Sequence, residues 1–115
     1  ENDPGRRHLH VVCTDPDQYG NQLIVSITSW TNNLCDSTCI IQPHEHGWLR
    51  HQSYVFYRKA RIEAAATLEN GLRQGIFEQL ASMNAQTFLR IRNGICASPQ
   101  TPRKIKRYLG CQIQS

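Results

Sequence analysis

The run from Gln22 to Trp30, Gln-Leu-Ile-Val-Ser-Ile-Thr-Ser-Trp, can do little except form an extended strand. Its β-branched side chains suit a pleated surface and alternate with a period of two. Leu23, Val25, Ile27 and Ser29 fall on one face, and Ile24, Ser26, Thr28 and Trp30 on the other. The first face is mostly apolar, while the second carries hydroxyls in its middle. Such a strand needs neighbours for its backbone groups. His8–Thr14 alternates in the same way, and the segment between, Asp15-Pro16-Asp17-Gln18-Tyr19-Gly20-Asn21, is dense in turn formers, so the two predict a hairpin. Thr38–Gln42 reads as a third short strand stopped by Pro43. Gln52–Arg61, which contains Tyr54-Val55-Phe56-Tyr57, predicts one or two more around Arg58.

Beyond residue 62 the period changes. From Glu63 to Leu80, Ala65, Leu68, Leu72, Ile76 and Leu80 recur every three or four residues, with Gly71 and Gly75 dividing a helix from a looser turn. Ser82 or Asn84 can cap a second helix whose buried stripe is Phe88, Leu89, Ile91 and Ile95. Thr101-Pro102 predicts an N-cap followed by proline at the first helical position. Ile105, Tyr108 and Leu109 make the apolar side of this last helix, and Gly110 stops it. Strands followed by helices point to an α+β fold, a small, strongly bent antiparallel sheet or partial barrel with helices packed from the C-terminal side. The 115 residues allow one domain, with the sheet over about 6–62 and the helices over about 63–110.

The longest apolar run is four residues, Tyr54–Tyr57, far short of a membrane span. Glu1–Gly5 is polar and turn-forming, without the cationic and apolar regions of a signal peptide, so a cytoplasmic location is expected. The net charge of +4 is unevenly spread. Residues 1–57 hold three basic against six acidic side chains, and residues 58–115 hold ten against three, which makes a polyanion a plausible partner for the second half. The five cysteines, Cys13, Cys35, Cys39, Cys96 and Cys111, match no small disulfide scaffold, and free thiols in a reducing compartment are expected. Cys35, Cys39, His44 and His46 lie within twelve residues, but their spacing is not that of a zinc knuckle. Cys39 falls in a predicted strand, so the pattern favours a buried thiol beside a polar loop, with no metal or other cofactor.

The order of three segments resembles the MazF/PemK family of plasmid-maintenance toxins. Arg7-His8-Leu9-His10-Val11-Val12 is similar to the family's strand that opens on a basic residue. Leu23–Ser29 is similar to its apolar strand ending in Ile-Thr. Gly47-Trp48-Leu49-Arg50-His51-Gln52-Ser53-Tyr54-Val55, with Arg61-Ile62, resembles its Gly-aromatic loop, Ser-Val and Arg-containing strand. The likeness covers Arg6 to Ile62. His8 stands where proline is usual, the family's opening Gly-Asp strand is absent from this sequence, and the block from Ser98 to Leu109 is longer and more basic than its terminal helix. The resemblance implies an SH3-like barrel and a metal-independent endoribonuclease of a toxin–antitoxin system. It further implies single-stranded RNA as substrate, an acidic antitoxin protein as partner, and a homodimer. It casts Arg7 as the catalytic arginine and Thr28 as its partner hydroxyl.

Cleavage through the 2′-hydroxyl needs a proton acceptor, a proton donor and positive charge beside the phosphorane-like transition state. Histidine exchanges protons near neutral pH, and of His8, His10, His44, His46 and His51 the strongest candidates are His51 and His8. His46 reads as a loop hydrogen-bonder. Arg50, Trp48, Tyr54 and Arg58 combine charge with flat rings, which suits contact with unpaired bases, although Tyr54 and Tyr57 equally suit packing. Arg103, Lys104, Lys106 and Arg107 place four cations on the last helix, where they can hold phosphates or face solvent. The contrasting reading is a non-catalytic barrel domain that binds RNA or an acidic protein.

Overall fold

The computed structural model describes residues 8–112, so Arg7 and the Glu1–Gly5 segment lie outside the described residues. The chain is α+β. Strands β1 (Leu9–Val12), β2 (Asn21–Ser29), β3 (Ile40–Ile41), β4 (Ser53–Val55) and β5 (Arg61–Ala64) form one antiparallel sheet, followed by helices α1 (Ala65–Arg73), α2 (Ala85–Ala97) and α3 (Arg103–Leu109).

The alternating strand is the axis of the fold. On one side β2 pairs with β1 in the register Leu9↔Ile27 to Val12↔Ile24. On the other side its C-terminal part pairs with β4 (Ile27↔Val55 to Ser29↔Ser53) and its N-terminal part with β5 (Asn21↔Ala64 to Ile24↔Arg61). Between them the 3-10 turn Tyr57–Lys59 makes the corner, and the Phe56 N–H donates to Ser26 O at 2.8 Å. Among the described residues the sheet bends around β2 but does not close. The hairpin is organised by Asp17, whose Oδ1 accepts the N–H groups of Tyr19 and Asn21, and by Gly20 at φ 80°.

The apolar face expected of β2 is the core face. Leu23, Val25 and Ile27 pack with Leu9, Val11, Ile41 and Val55 beneath Ile91 and Ile95 of α2 and Ile105 of α3. Tyr57 is fully buried among them, and its hydroxyl donates to Ile91 O at 2.7 Å. Gly94 permits this approach, because a Cβ there would lie 1.9 Å from the Tyr57 hydroxyl oxygen.

Two polar clusters tie loops to the helices. The buried Asp36 accepts hydrogen bonds from Ser98 Oγ (2.5 Å), Thr38 Oγ1 (2.6 Å) and the Thr38 N–H (2.9 Å). Glu45 accepts from Thr87 Oγ1 (2.7 Å), Arg90 Nη1 (2.5 Å) and the Gln42 N–H (2.8 Å). Arg90 also donates to Ile40 O and so covers the open edge of β3.

Several expectations are corrected. The third strand shrinks to two residues, because Thr38 is held in the Asp36 turn. Glu63 and Ala64 belong to β5, since they pair with Gln22 and Asn21, and α1 begins only at Ala65. Leu89 is 58% exposed and Ile76 68% exposed, while Thr87 is buried in the stripe of α2. Asn84 caps α2 through the N–H groups of Gln86 and Thr87. Thr101 does not cap α3; Pro102 occupies that position and the Thr101 hydroxyl is buried without a partner among the described residues. Cys96 and Cys111 are joined in a disulfide, so only Cys13, Cys35 and Cys39 are free. The turn between α2 and α3 brings their Cα atoms to 5.5 Å across fifteen positions of sequence.

Candidate functional site

The site lies at the C-terminal end of β2. Continuing the β1–β2 ladder one residue beyond Leu9↔Ile27 sets His8 opposite Thr28. Leu9 and Ile27 point into the core, so His8 and Thr28 share the other face. Cross-strand partners of this kind hold their Cβ atoms about 4.5–5.5 Å apart, near enough for both side chains to meet one phosphate.

The third wall is the loop from His46 to Gln52. Its backbone is fixed at several points: the Leu49 N–H donates to His46 O (3.1 Å), the Trp30 N–H to Gln52 O (2.9 Å), and Ser53 Oγ to His51 O (2.9 Å). Leu49 is buried beneath it. His46 is the principal brace. The Trp48 N–H can only donate, so Nδ1 of His46 accepts it (3.1 Å) and the ring proton sits on Nε2, which donates to Ala81 O at 2.8 Å. The loop is thereby pinned to the segment that leads into α2.

These elements enclose a cavity of about 350 Å³ lined by His8, Thr28, Ser29, Trp48, Arg50, His51 and Ser53, floored by Ile27 and Leu49. His8, His51, Arg50 and Trp48 thus border the same space as Thr28, whereas Ser29 alternates to the Ile27 face and the buried Ser53 hydroxyl is spent on His51 O. Arg50 and His51 are exposed. The arrangement offers two groups able to exchange protons, one fixed positive charge, and a flat ring against which a base can stack.

Of the residues chosen from sequence, His8, Thr28, Trp48, Arg50 and His51 come together here. Others do not. Tyr54 pairs with Thr28 on the far side of β2, but its ring is buried between Trp30 (5.8 Å) and Phe56 (6.0 Å). Arg58 is exposed on the corner turn and does not line the cavity. Arg103, Lys104, Lys106 and Arg107 sit on α3, whose Tyr108 hydroxyl donates to Asp17 Oδ2 (2.7 Å) at the hairpin end of β2. The sequence reading missed Ser29 and Ser53. Their signal was register, because they are cross-strand partners one step beyond Thr28↔Tyr54.

A second cavity of about 820 Å³ adjoins the first and shares His8 and Trp48 with it. His10, His46 and Arg61 face it together with apolar Leu72, Ile76 and Phe77. Burial, and then the Arg61 charge, lower the pKa of His10 and so favour its neutral form. Cys35, Cys39, His44 and His46 do not form a metal site. Among the described residues no three of His, Cys, Asp and Glu are grouped to hold an ion, and both ring nitrogens of His46 are already engaged. Cys35 Sγ lies 3.5 Å from both the Thr31 hydroxyl and the Thr31 N–H. The hydroxyl contact first, and then the Asn32 and Thr31 N–H groups, lower its pKa to about 7.

Comparison with family models, curated proteins and solved structures gives no match. The site's own chemistry therefore carries the functional reading.

Proposed function

We propose that the protein is a metal-independent endoribonuclease of the MazF/PemK kind, acting on single-stranded RNA as the toxin of a toxin–antitoxin pair. The observation that carries this reading is the convergence of His8, Thr28, Trp48, Arg50 and His51 on one cavity. One of His8 and His51 takes the proton of the 2′-hydroxyl as that oxygen attacks the phosphorus. The other gives a proton to the departing 5′-oxygen, leaving a 2′,3′-cyclic phosphate. Arg50, with Arg7 as the resemblance has it, balances the charge gathering on the phosphoryl oxygens. Thr28 orients the phosphate, and Trp48 stacks a neighbouring base.

The same reading takes the bent sheet as an SH3-like barrel, with an acidic antitoxin and a second copy of the chain as partners. Leu72, Ile76 and Phe77, partly exposed along the second cavity, are apolar surface that such partners can cover. The proposed location is the cytoplasm. In a reducing compartment Cys96 and Cys111 stand as two thiols, and α3 remains held by the buried Ile105 and by Tyr108.

The test is substitution of the proton-transfer groups. His8→Ala and His51→Ala should each slow RNA cleavage by about 10²–10⁴, the range for loss of a general acid or base, with an unchanged melting temperature. Variants that melt like the parent and cut as fast would remove the reading. Binding of RNA by a parent that never cuts it would favour the non-catalytic domain.

A further inference from the structure

The four cations of α3 sit far from the cavity. Tyr108 fastens α3 to the hairpin end of β2 through Asp17 and through Asn21 O (3.2 Å), whereas the cavity is lined by Thr28 and Ser29 at the other end. Asn21 and Thr28 are separated by seven steps along one strand, or about 23 Å at about 3.3 Å per residue. No residue of α3 lines either cavity.

α3 is also a firmly held element. Ile105 is fully buried beneath it, Gly110 ends it at φ 82°, and Tyr108 ties it to Asp17 and Asn21, contacts that do not depend on the Cys96–Cys111 bridge. Its outward side carries Arg103, Lys104 and Arg107 exposed, with Lys106 half-buried. Among the described residues none of the four forms an ion pair. The nearby carboxylate, Asp17, is engaged by Tyr108 and by the turn backbone. A fixed group of four cations with no carboxylate partner among the described residues costs folding free energy through mutual repulsion and finds its complement in a line of phosphates.

We propose that α3 is a second, distal phosphate-binding surface for the RNA strand whose scissile bond lies in the cavity. This rests on the endoribonuclease reading and adds a substrate class to it. The substrate is a single strand long enough to run from the cavity to the hairpin end of β2, about seven nucleotides if stacked at about 3.4 Å each and fewer if extended. The contacts on α3 are to the backbone and read no sequence.

The experiment uses full-length protein and 2′-O-methylated RNA strands, which bind but cannot be cut, of about 5 and about 25 nucleotides. Affinity is measured between about 50 and 200 mM salt for the parent and for the R103Q/K104Q/K106Q/R107Q variant. Each phosphate neutralised on a single strand contributes about 0.7 to the slope of log affinity against log salt. On the long strand the variant's slope should therefore be smaller by up to about 2.8, a difference of up to about 50-fold in the affinity lost over that salt range. Its preference for the long strand should fall to the statistical factor. Circular dichroism checks that the variant is folded, and Lys59→Gln with Arg73→Gln, exposed cations on other elements, serves as the comparison and should leave the slope in place.

Equal slopes for parent and folded variant would overturn the proposal, as would a variant that loses only binding to a poly-glutamate peptide. Cleavage of an unmodified strand of about 5 nucleotides by the parent scores the nuclease reading separately. Cleavage with equal slopes removes the distal surface and keeps the nuclease, and slope loss without cleavage does the reverse.

Discussion

Replacing Gly94 by alanine sets two opposite effects against each other. In the interior of α2, alanine is worth about 1 kcal/mol more than glycine through helix propensity. The new methyl carbon would lie 1.9 Å from the Tyr57 hydroxyl oxygen, 2.6 Å from its Cζ and 3.0 Å from its Cε2. Tyr57 is fully buried and its hydroxyl is bonded to Ile91 O, so the ring can yield only by moving α2 off the sheet or giving up that bond. Overpacking costs about 1–3 kcal/mol and sometimes more, and the lost hydrogen bond adds about 1. The net destabilisation should be about 1–3 kcal/mol, read as a lower denaturant midpoint at constant slope. Tyr57→Phe alone should cost about 1 kcal/mol, and combining it with Gly94→Ala should cost less than the two apart, because the closest contact has been removed. A Gly94→Ala protein as stable as the parent, or strict additivity in the pair, would refute this account of how α2 docks.

Other features make predictions of their own. Burial acts to raise the pKa values of Asp36 and Glu45, but hydrogen bonds to both (from Ser98 and Thr38, and from Gln42, Thr87 and Arg90) hold them below the ordinary carboxylate range. The stability they lend is present at neutral pH and is lost as pH falls below about 4, so urea midpoints should be level from about pH 7 to 5 and drop below that. Asp36→Asn and Glu45→Gln together should flatten the acid limb. Iodoacetamide at neutral pH should label Cys35, at about 7, well before Cys13, which burial pushes up to about 12, or Cys39, which burial also raises. Peptide mass mapping reads the order, and faster labelling of Cys13 would contradict it. His46→Ala removes the brace between the cavity loop and Ala81, so the Trp48 amide should exchange at least tenfold faster while global stability falls by about 1–2 kcal/mol.

Much of the fold was legible because β2 is so strongly patterned. Its apolar alternate residues named the core face, and the turn formers before it named the hairpin. The helical half was harder. Leu72, Ile76 and Leu89 keep a helical period yet remain exposed, because periodicity tells which residues share a face and not whether anything covers it. The disulfide was hidden for a related reason, since no local spacing records where the turn after α2 brings Cys111. In the site, Thr28 was named only through the family resemblance, and the Trp48–His51 loop from its residue chemistry and the order of segments. Their meeting with His8 depends on the β1–β2 register, and the buried position of Tyr54 on its contacts with Trp30 and Phe56. The cations of α3 were plain in the sequence, but only the Tyr108–Asp17 contact tells at which end of the sheet they stand.

The central claim is that the cavity cuts RNA with its own side chains. The most direct measurement incubates purified protein with end-labelled single-stranded RNA in excess EDTA and determines the product ends. The account predicts discrete cuts leaving 2′,3′-cyclic phosphate and 5′-hydroxyl termini, undiminished by the chelator; an RNA left intact, or one cut only when divalent metal is restored, would contradict it.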